Sequence, residues 1–77
     1  MVNPKTTGSV LQKYRNKKGI TQEVFSGLAG LDRAHYSKLE RGLQNPTLDT
    51  LFKIAYALDM PPHELVIAIE EEAYEPA

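Results

Sequence analysis

QEVFSGLAGLDRAHYSKLER, residues 22–41, is a pattern typical of two short helices joined by a tight turn. In the first helix, Val24, Phe25 and Leu28 are spaced to share one apolar face. Gly30 suits the left-handed backbone conformation that a tight turn between helices requires. The pattern therefore predicts a helix that packs its apolar face inward and ends at Gly30.

The second helix of this stretch has one apolar face and one polar face. Asp32 is placed to cap its start, and Tyr36 and Leu39 lie on the face that would turn inward. The residues that point outward on the opposite face, in two i,i+4 pairs, are Arg33, Ala34, Ser37 and Lys38. Taken alone, such a pattern is also that of a solvated polar helix face.

The segment before residue 22 predicts one further helix. Residues 1–6 are expected to form a flexible arm, because Pro4 discourages an early helix. Thr6 or Thr7 can then cap helix 1, which would cover about residues 7–18. We therefore expect the globular part to begin at residue 7.

Two more helices are predicted after residue 41. Helix 4 covers about residues 48–58, and helix 5 opens at Pro61 and Pro62, where the missing N–H groups do no harm. The expected core face of helix 4 consists of Leu48, Leu51, Ile54, Ala55 and Leu58. Five short helices without a strand pattern predict an all-α domain over residues 7–70, followed by an acidic tail of residues 71–77.

Length and composition narrow the class of protein. The 77 residues suffice for one domain, and the absence of cysteine excludes disulfides and thiolate metal sites. No apolar run approaches the roughly 20 residues that span a bilayer, and no signal peptide is visible. We therefore expect a cytoplasmic protein that makes no membrane contact.

The net charge is −1, but basic and acidic residues are distributed unevenly along the chain. The first 20 residues carry five basic residues and no acid, whereas residues 48–77 carry one lysine and seven acids. A small domain polarised in this way can present a positive face to nucleic acid while its total charge is near zero. The alternative is that these charges are simply solvated helix faces.

Catalytic chemistry is not indicated by the sequence. Asp32, His35 and Ser37 are close in sequence but do not share a helix face, so no nucleophile–base chain forms easily. The two histidines lack metal-ligand spacing, and no glycine-rich stretch has the form of a phosphate loop. We predict that the protein is not an enzyme and needs no cofactor or metal. We also expect no small-molecule ligand, because 77 residues leave no room for a sensing domain.

With these residues placed, the chain resembles the Cro/C1-type helix-turn-helix family, also called the xenobiotic response element (XRE) family. This family includes phage-type repressors and restriction-modification controller proteins. The resemblance covers about residues 10–67 and implies a compact five-helix, lambda-repressor-like DNA-binding domain. The parts that carry it are Arg15, KKGITQEVF, Gly30, LDRAHYSKLERG and NPTLDTLFKIAYALDMPPHEL.

The resemblance implies where the domain would contact double-stranded DNA. The family docks helix 3, here about residues 33–41, in the major groove, which would bring the four outward side chains Arg33, Ala34, Ser37 and Lys38 to base edges. Arginine, lysine, serine and alanine all have suitable base partners there. The residues implied to contact phosphate are Thr21, Gln22, Arg41, Asn45 and Thr47. For Thr21 and Thr47, helix capping alone is the alternative.

The resemblance also implies an ion pair that sets the angle of helix 3. Similar proteins often pair an arginine of helix 1 with the glutamate near the end of helix 3, in a partly buried position. The matching residues here are Arg15 and Glu40. The alternative is that these are two unrelated surface charges.

Helix 5 is apolar on all sides between residues 65 and 69, so part of it would be wet in a monomer. This pattern predicts a partner surface. Because one recognition helix covers only a few base pairs, we expect a homodimer whose interface joins the free face of helix 5 to the end of helix 4. The expected interface residues are Phe52, Tyr56, Val66, Ile67 and Ile69. The alternative is that these side chains complete the core of a monomer.

Together, these expectations describe a transcriptional regulator that binds near-palindromic operator DNA as a homodimer. A two-fold dimer would place its two recognition helices about 34 Å apart, which is one turn of DNA. The competing hypothesis is a protein-interaction module on the same fold, such as an antitoxin-like or coactivator domain, because a fold does not determine a function.

Overall fold

A computed structural model of the protein describes residues 2–74, and within that range it contains five helices and no strand. The all-α prediction is therefore confirmed. The helices are α1 (Pro4–Lys18), α2 (Gln22–Ala29), α3 (Arg33–Glu40), α4 (Leu48–Ala57) and α5 (Pro62–Tyr74).

Local capping chemistry begins α2, α3 and α4 where the sequence predicts. The side chains of Thr21, Asp32 and Thr47 each accept a hydrogen bond from a backbone N–H in the first turn of the helix that follows. Gly30 ends α2 with a φ of +69°, a left-handed conformation that disfavours side chains with a Cβ. The helix boundaries that frame residues 22–41 are thus set by short-range interactions.

The predicted start of helix 1 at residue 7 is wrong, because α1 begins at Pro4. The Asn3 side chain caps the helix by accepting a hydrogen bond of 2.9 Å from the Lys5 N–H. Proline is well tolerated at the first helical position, where its missing N–H has no intrahelical partner to lose. Residues 4–6, which we expected in a flexible arm, are therefore helical, and Thr7 is buried instead of capping.

The C-terminal end differs in a similar way. α5 continues to Tyr74, so residues 71–74, which were assigned to an acidic tail, belong to the helix. Residues 75–77 of that tail lie outside the described part of the chain.

Every helix contributes to one core. The largest fully buried side chains are those of Leu11, Phe25, Tyr36, Leu39, Ile54 and Leu65. The Phe25 and Tyr36 rings pack at a centroid distance of 5.1 Å with a tilt of 51°, which joins α2 to α3 directly. This contact holds the inner face of α3 in place and turns its outer face to solvent.

Three apolar residues that were predicted to be buried are exposed. Val24, Leu28 and Leu48 lie on the surface, and Leu28 keeps 66% of its area accessible. α2 packs against both α3 and α4 through the stripe that Phe25 and Ala29 form one turn apart. Val24 and Leu28 form the neighbouring i,i+4 stripe, which that packing leaves outside.

Gly8 allows α1 and α3 to approach closely. A Cβ at this position would lie 2.5 Å from the carbonyl oxygen of Glu40 and 2.6 Å from that of Leu39. Only glycine fits such a contact without a shift of backbone. The N-terminal half of α1 therefore packs directly against the C-terminal end of α3.

Candidate nucleic-acid interface

The four outward residues of α3 lie together on one face. Arg33, Ala34 and Lys38 are exposed, and Ser37 is half-buried. With Arg41, they line a shallow surface hollow of about 480 Å³. The structure thus brings together the side chains that were predicted to meet base edges.

This face carries three cations that form no ion pair with the described acidic residues. Among residues 2–74, Arg33, Lys38 and Arg41 have no carboxylate within 4.0 Å. Elsewhere in the same range, Lys13 pairs with Glu72 at 2.8 Å, Lys18 with Asp59 at 2.9 Å and Lys53 with Asp49 at 3.4 Å, whereas Lys5 and Lys17 form no ion pair. Three of the five cations that form no ion pair within residues 2–74 therefore lie on the α3 face of a near-neutral protein, which suits a polyanionic ligand.

Arg15 and Glu40, which were expected to form an ion pair, are in contact. The Nε of Arg15 donates to Oε2 of Glu40 at 2.6 Å, and its Nη2 donates to Oε1 at 3.0 Å. The pair is shielded from solvent, with side chains that are 11% and 2% exposed. Arg15 also donates to the Ile20 carbonyl at 2.7 Å, so α1, the α1–α2 loop and α3 are joined at one point.

Gln22 joins this network from the start of α2. Its Nε2 donates to Oε1 of Glu40 at 3.0 Å, so one carboxylate connects three helices. Burial alone would raise the pKa of Glu40, but Arg15, the nearby Tyr36 hydroxyl and Gln22 together hold that pKa below its ordinary value. We refer to Arg15, Gln22 and Glu40 as the carboxylate hub.

Tyr36 lies beside the carboxylate hub in the core. Its hydroxyl is buried and makes no hydrogen bond of ordinary geometry within the described residues. Burial, followed by the neighbouring Glu40 carboxylate, raises the pKa of Tyr36, so the phenol stays neutral. The ring anchors α3 through its contact with Phe25, and the hydroxyl contributes a polar group next to Glu40.

The predicted phosphate contacts fall into two groups. Thr21, Arg41 and Thr47 are exposed; Arg41 lines the hollow on the α3 face, and the two threonines cap α2 and α4. The side chains of Gln22 and Asn45 are engaged within the chain. These intramolecular bonds were not predicted, because they depend on contacts between residues far apart in sequence.

Asn45 connects the N-terminal segment to the loop before α4. Its Oδ1 accepts a hydrogen bond from the Thr7 hydroxyl at 2.8 Å, and its Nδ2 donates to the Val2 carbonyl at 2.9 Å. Both ends of the amide are therefore used. The second hydrogen of Nδ2 is not needed for these bonds and can be donated to a phosphate oxygen.

Four of the five predicted interface residues are exposed on α4 and α5, and we refer to these four as the α4–α5 surface. Phe52, Tyr56, Val66 and Ile67 are exposed. The assignment of Ile69 to an interface is corrected by the structure, since its side chain is only 8% exposed and belongs to the core. Ile69 lies one turn after the fully buried Leu65, on the inner stripe of α5.

Residues 2–74 contain neither a membrane-spanning helix nor a cluster of potential metal ligands. No helix there is long and apolar enough to cross a bilayer. The same residues contain no group of three histidine or acidic side chains that could hold a metal ion.

Comparison with known proteins places these features in a family. A helix-turn-helix family model matches residues 11–65. The HTH-type transcriptional regulator y4dJ of Sinorhizobium fredii (strain NBRC 101917 / NGR234) is 39% identical over 70 residues, which is 91% of each chain. Control protein C.MunI of Mycoplasma sp is 39% identical over 66 residues, covering 84% of this chain and 89% of that protein.

A solved structure agrees with this assignment. The restriction-modification controller protein C.AhdI from Aeromonas hydrophila superposes with a TM-score of 0.78 at 38% identity, over 84% of this chain and 98% of that chain. The chain therefore belongs to the XRE-type (Cro/C1-type) helix-turn-helix family and is a transcriptional regulator with a helix-turn-helix DNA-binding domain.

Proposed function

We propose that this regulator binds near-palindromic operator DNA as a homodimer, with α3 of each protomer in the major groove. The observation that carries the proposal is the outer face of α3, where Arg33, Ala34, Ser37 and Lys38 line one hollow with Arg41. Its three cations lack acidic partners within residues 2–74. The major groove of B-DNA admits an α-helix and displays a distinct pattern of groups for each base pair.

The chemistry of the four outer residues suits base reading. The guanidinium of Arg33 can donate two parallel hydrogen bonds to O6 and N7 of guanine, and Lys38 can reach the same acceptors. Ser37 can donate or accept, and Ala34 can contact a thymine methyl group. In the proposed complex these residues select sequence.

Phosphate contacts would fix the position of the protein on the duplex. Arg41 lines the α3 face, and Thr21 and Thr47 are exposed at the starts of α2 and α4. The side-chain amide of Gln22 donates one hydrogen to Glu40, which leaves its second hydrogen and the backbone N–H at the start of α2 for phosphate. Asn45 would use the second hydrogen of its Nδ2, because the first is donated to the Val2 carbonyl.

The α4–α5 surface would supply the dimer contact. Phe52, Tyr56, Val66 and Ile67 expose apolar side chains there, and burial of such area against a second copy is favourable by about 25 cal/mol per Å². Dimerisation places two copies of α3 on successive major grooves, about 34 Å apart. Sedimentation velocity of the free protein at tens of micromolar measures this association, and a species of monomer mass throughout would contradict a stable dimer.

The test of base reading is selection of bound sites from a random DNA pool with the wild type, Arg33→Ala and Arg41→Ala. Arg33→Ala is expected to lose discrimination of about 1–3 kcal/mol at one base step of each half-site. Arg41→Ala is the matched control and should weaken binding to all sequences evenly, as loss of a phosphate contact does. An even loss for Arg33→Ala would place that residue on the phosphate backbone instead.

The salt dependence of DNA affinity distinguishes the proposed function from the competing one, a protein-interaction module on the same fold. Contacts to phosphate release counterions, so DNA affinity falls steeply as salt increases. Absence of any salt-dependent affinity for duplex DNA would reject the proposed function and favour the interaction module.

A further inference from the structure

The first turn of α1 lies against the end of the recognition helix. Gly42, which follows Arg41, has a φ of +75°, and a Cβ built there would lie 2.8 Å from both Cα and Cγ of Lys5. Gly8 makes a similarly close approach to the last carbonyls of α3. The backbone of Lys5 is thus packed against the residue next to Arg41, at the border of the α3 face.

Lys5 differs in its surroundings from the other lysines of α1. Lys13 and Lys18 form ion pairs at 2.8 and 2.9 Å, and the Nζ of Lys17 lies 5.0 Å from the centre of the Tyr14 ring. Lys5 is exposed and has no ion pair within residues 2–74, and the first turn of α1 contains no acidic residue. In these respects Lys5 resembles the cations of α3 more than those of its own helix.

We propose that Lys5 binds a DNA phosphate beside the C-terminal end of α3 and so extends the DNA-binding surface beyond Arg41. This inference rests on the proposed function. A lysine ammonium is a compact charge on a flexible stem, which suits a phosphate approached from several directions. The close fit of Gly42 against the Lys5 backbone fixes where that stem begins.

A purely structural role for Lys5 makes a different prediction. The carbonyl groups that end α3 carry partial negative charge, and a nearby cation can stabilise them. In that case removal of the charge would lower the melting temperature and leave DNA binding per folded protein unchanged. The two roles are therefore separable by measuring stability and binding on the same variants.

The experiment measures binding of a fluorescein-labelled duplex of mixed sequence by anisotropy over a range of salt concentrations. The proteins are the wild type, Lys5→Gln, Lys5→Arg and the control Lys13→Gln, which removes the same charge from the α5-facing side of α1. The slope of log affinity against log salt is expected to become shallower by about 0.9 per protomer in Lys5→Gln. The affinity ratio of wild type to Lys5→Gln then changes about eightfold for each tenfold change in salt.

Lys5→Arg should keep the wild-type slope because the charge remains, and Lys13→Gln should keep it because its position faces α5. An unchanged slope for Lys5→Gln, with wild-type binding intact, would overturn the assignment of Lys5 alone. A lower melting temperature with an unchanged slope would overturn it as well, in favour of the structural role. If the wild type shows no salt-dependent binding, the proposed function fails and the role of Lys5 fails with it.

Discussion

The outer face of α3 and the α4–α5 surface are both exposed, but they are built differently. The α3 face is polar and is held from behind by the carboxylate hub, whose members come from three helices. The α4–α5 surface consists of apolar side chains that lie next to the buried stripes of the same helices. The orientation of the α3 face depends on specific hydrogen bonds. The extent of the α4–α5 surface depends on which apolar stripe of each helix is buried in the core of the monomer.

The largest expected effect comes from removing the centre of the carboxylate hub. Glu40→Ala leaves the Arg15 guanidinium shielded and without its carboxylate, and breaking a buried pair in this way costs about 3–5 kcal/mol. Because a domain of this size shifts by about 4–8 °C per kcal/mol, the melting temperature should fall by well over 10 °C. Calorimetry measures this change, and an unaltered melting temperature would mean that the pair contributes nothing to stability.

Ile69 and Ile67 provide a direct comparison between the core and the α4–α5 surface. Ile69→Ala should destabilise the fold by about 2–5 kcal/mol, since it removes a buried side chain. Ile67→Ala should change the stability of the monomer by no more than about 0.5 kcal/mol, because Ile67 is 46% exposed. Urea unfolding at a concentration where the protein is monomeric measures both, and similar losses would remove the distinction between the two stripes of α5.

Gly8 and Gly27 test the close approach of α1 to α3. Gly8→Ala should cost about 1–3 kcal/mol, because the new Cβ meets two backbone carbonyl oxygens. Gly27→Ala is the matched control inside α2, where a Cβ has no neighbour within 4 Å. It should stabilise the protein by about 0.5–1 kcal/mol, since alanine restricts the unfolded chain. The midpoints of urea unfolding measure both changes in stability, which should have opposite signs. If Gly8→Ala left the stability unchanged, α1 would be able to move away from α3 freely.

The smallest effect concerns pH. The pKa of Glu40 is lower in the folded protein than in the unfolded chain, so its contribution to stability is complete above the unfolded value of about 4.3. That contribution is lost as the pH falls through the folded pKa. The melting temperature of the wild type should therefore decline more steeply on acidification below that value than that of Glu40→Gln, which has no proton to take up there. Parallel declines would place the pKa of Glu40 at its ordinary value.

The sequence predicts the features of α2 and α3 that depend on neighbouring residues. Thr21 and Asp32 act as caps, and Gly30 provides the turn, because each acts on residues within a single turn of its own position. Local pattern also places Arg33, Ala34, Ser37 and Lys38 on one face, since helical spacing alone determines which residues point the same way.

The features that the sequence does not predict depend on how the helices pack. Val24 and Leu28 are apolar and have the spacing of one helix face, yet they are exposed because α3 and α4 both pack against the adjacent stripe of α2. Ile69 and Val66 are both apolar, but Ile69 is buried and Val66 is exposed. Only the way α5 packs on the core determines this difference. The bonds from Asn45 to Thr7 and Val2 span 38 and 43 residues, a separation at which local pattern carries no information.

The carboxylate hub has a consequence for redesign of this protein. None of Arg15, Gln22 and Glu40 is among the four residues on the outer face of α3, so different side chains hold the helix and, in the proposed complex, read the groove. Exposed substitutions away from such networks usually change stability by no more than about 0.5 kcal/mol. Arg33, Ala34 and Lys38 can therefore be randomised as a library on an intact scaffold, and new sequence preferences can be sought without a second round of stabilisation.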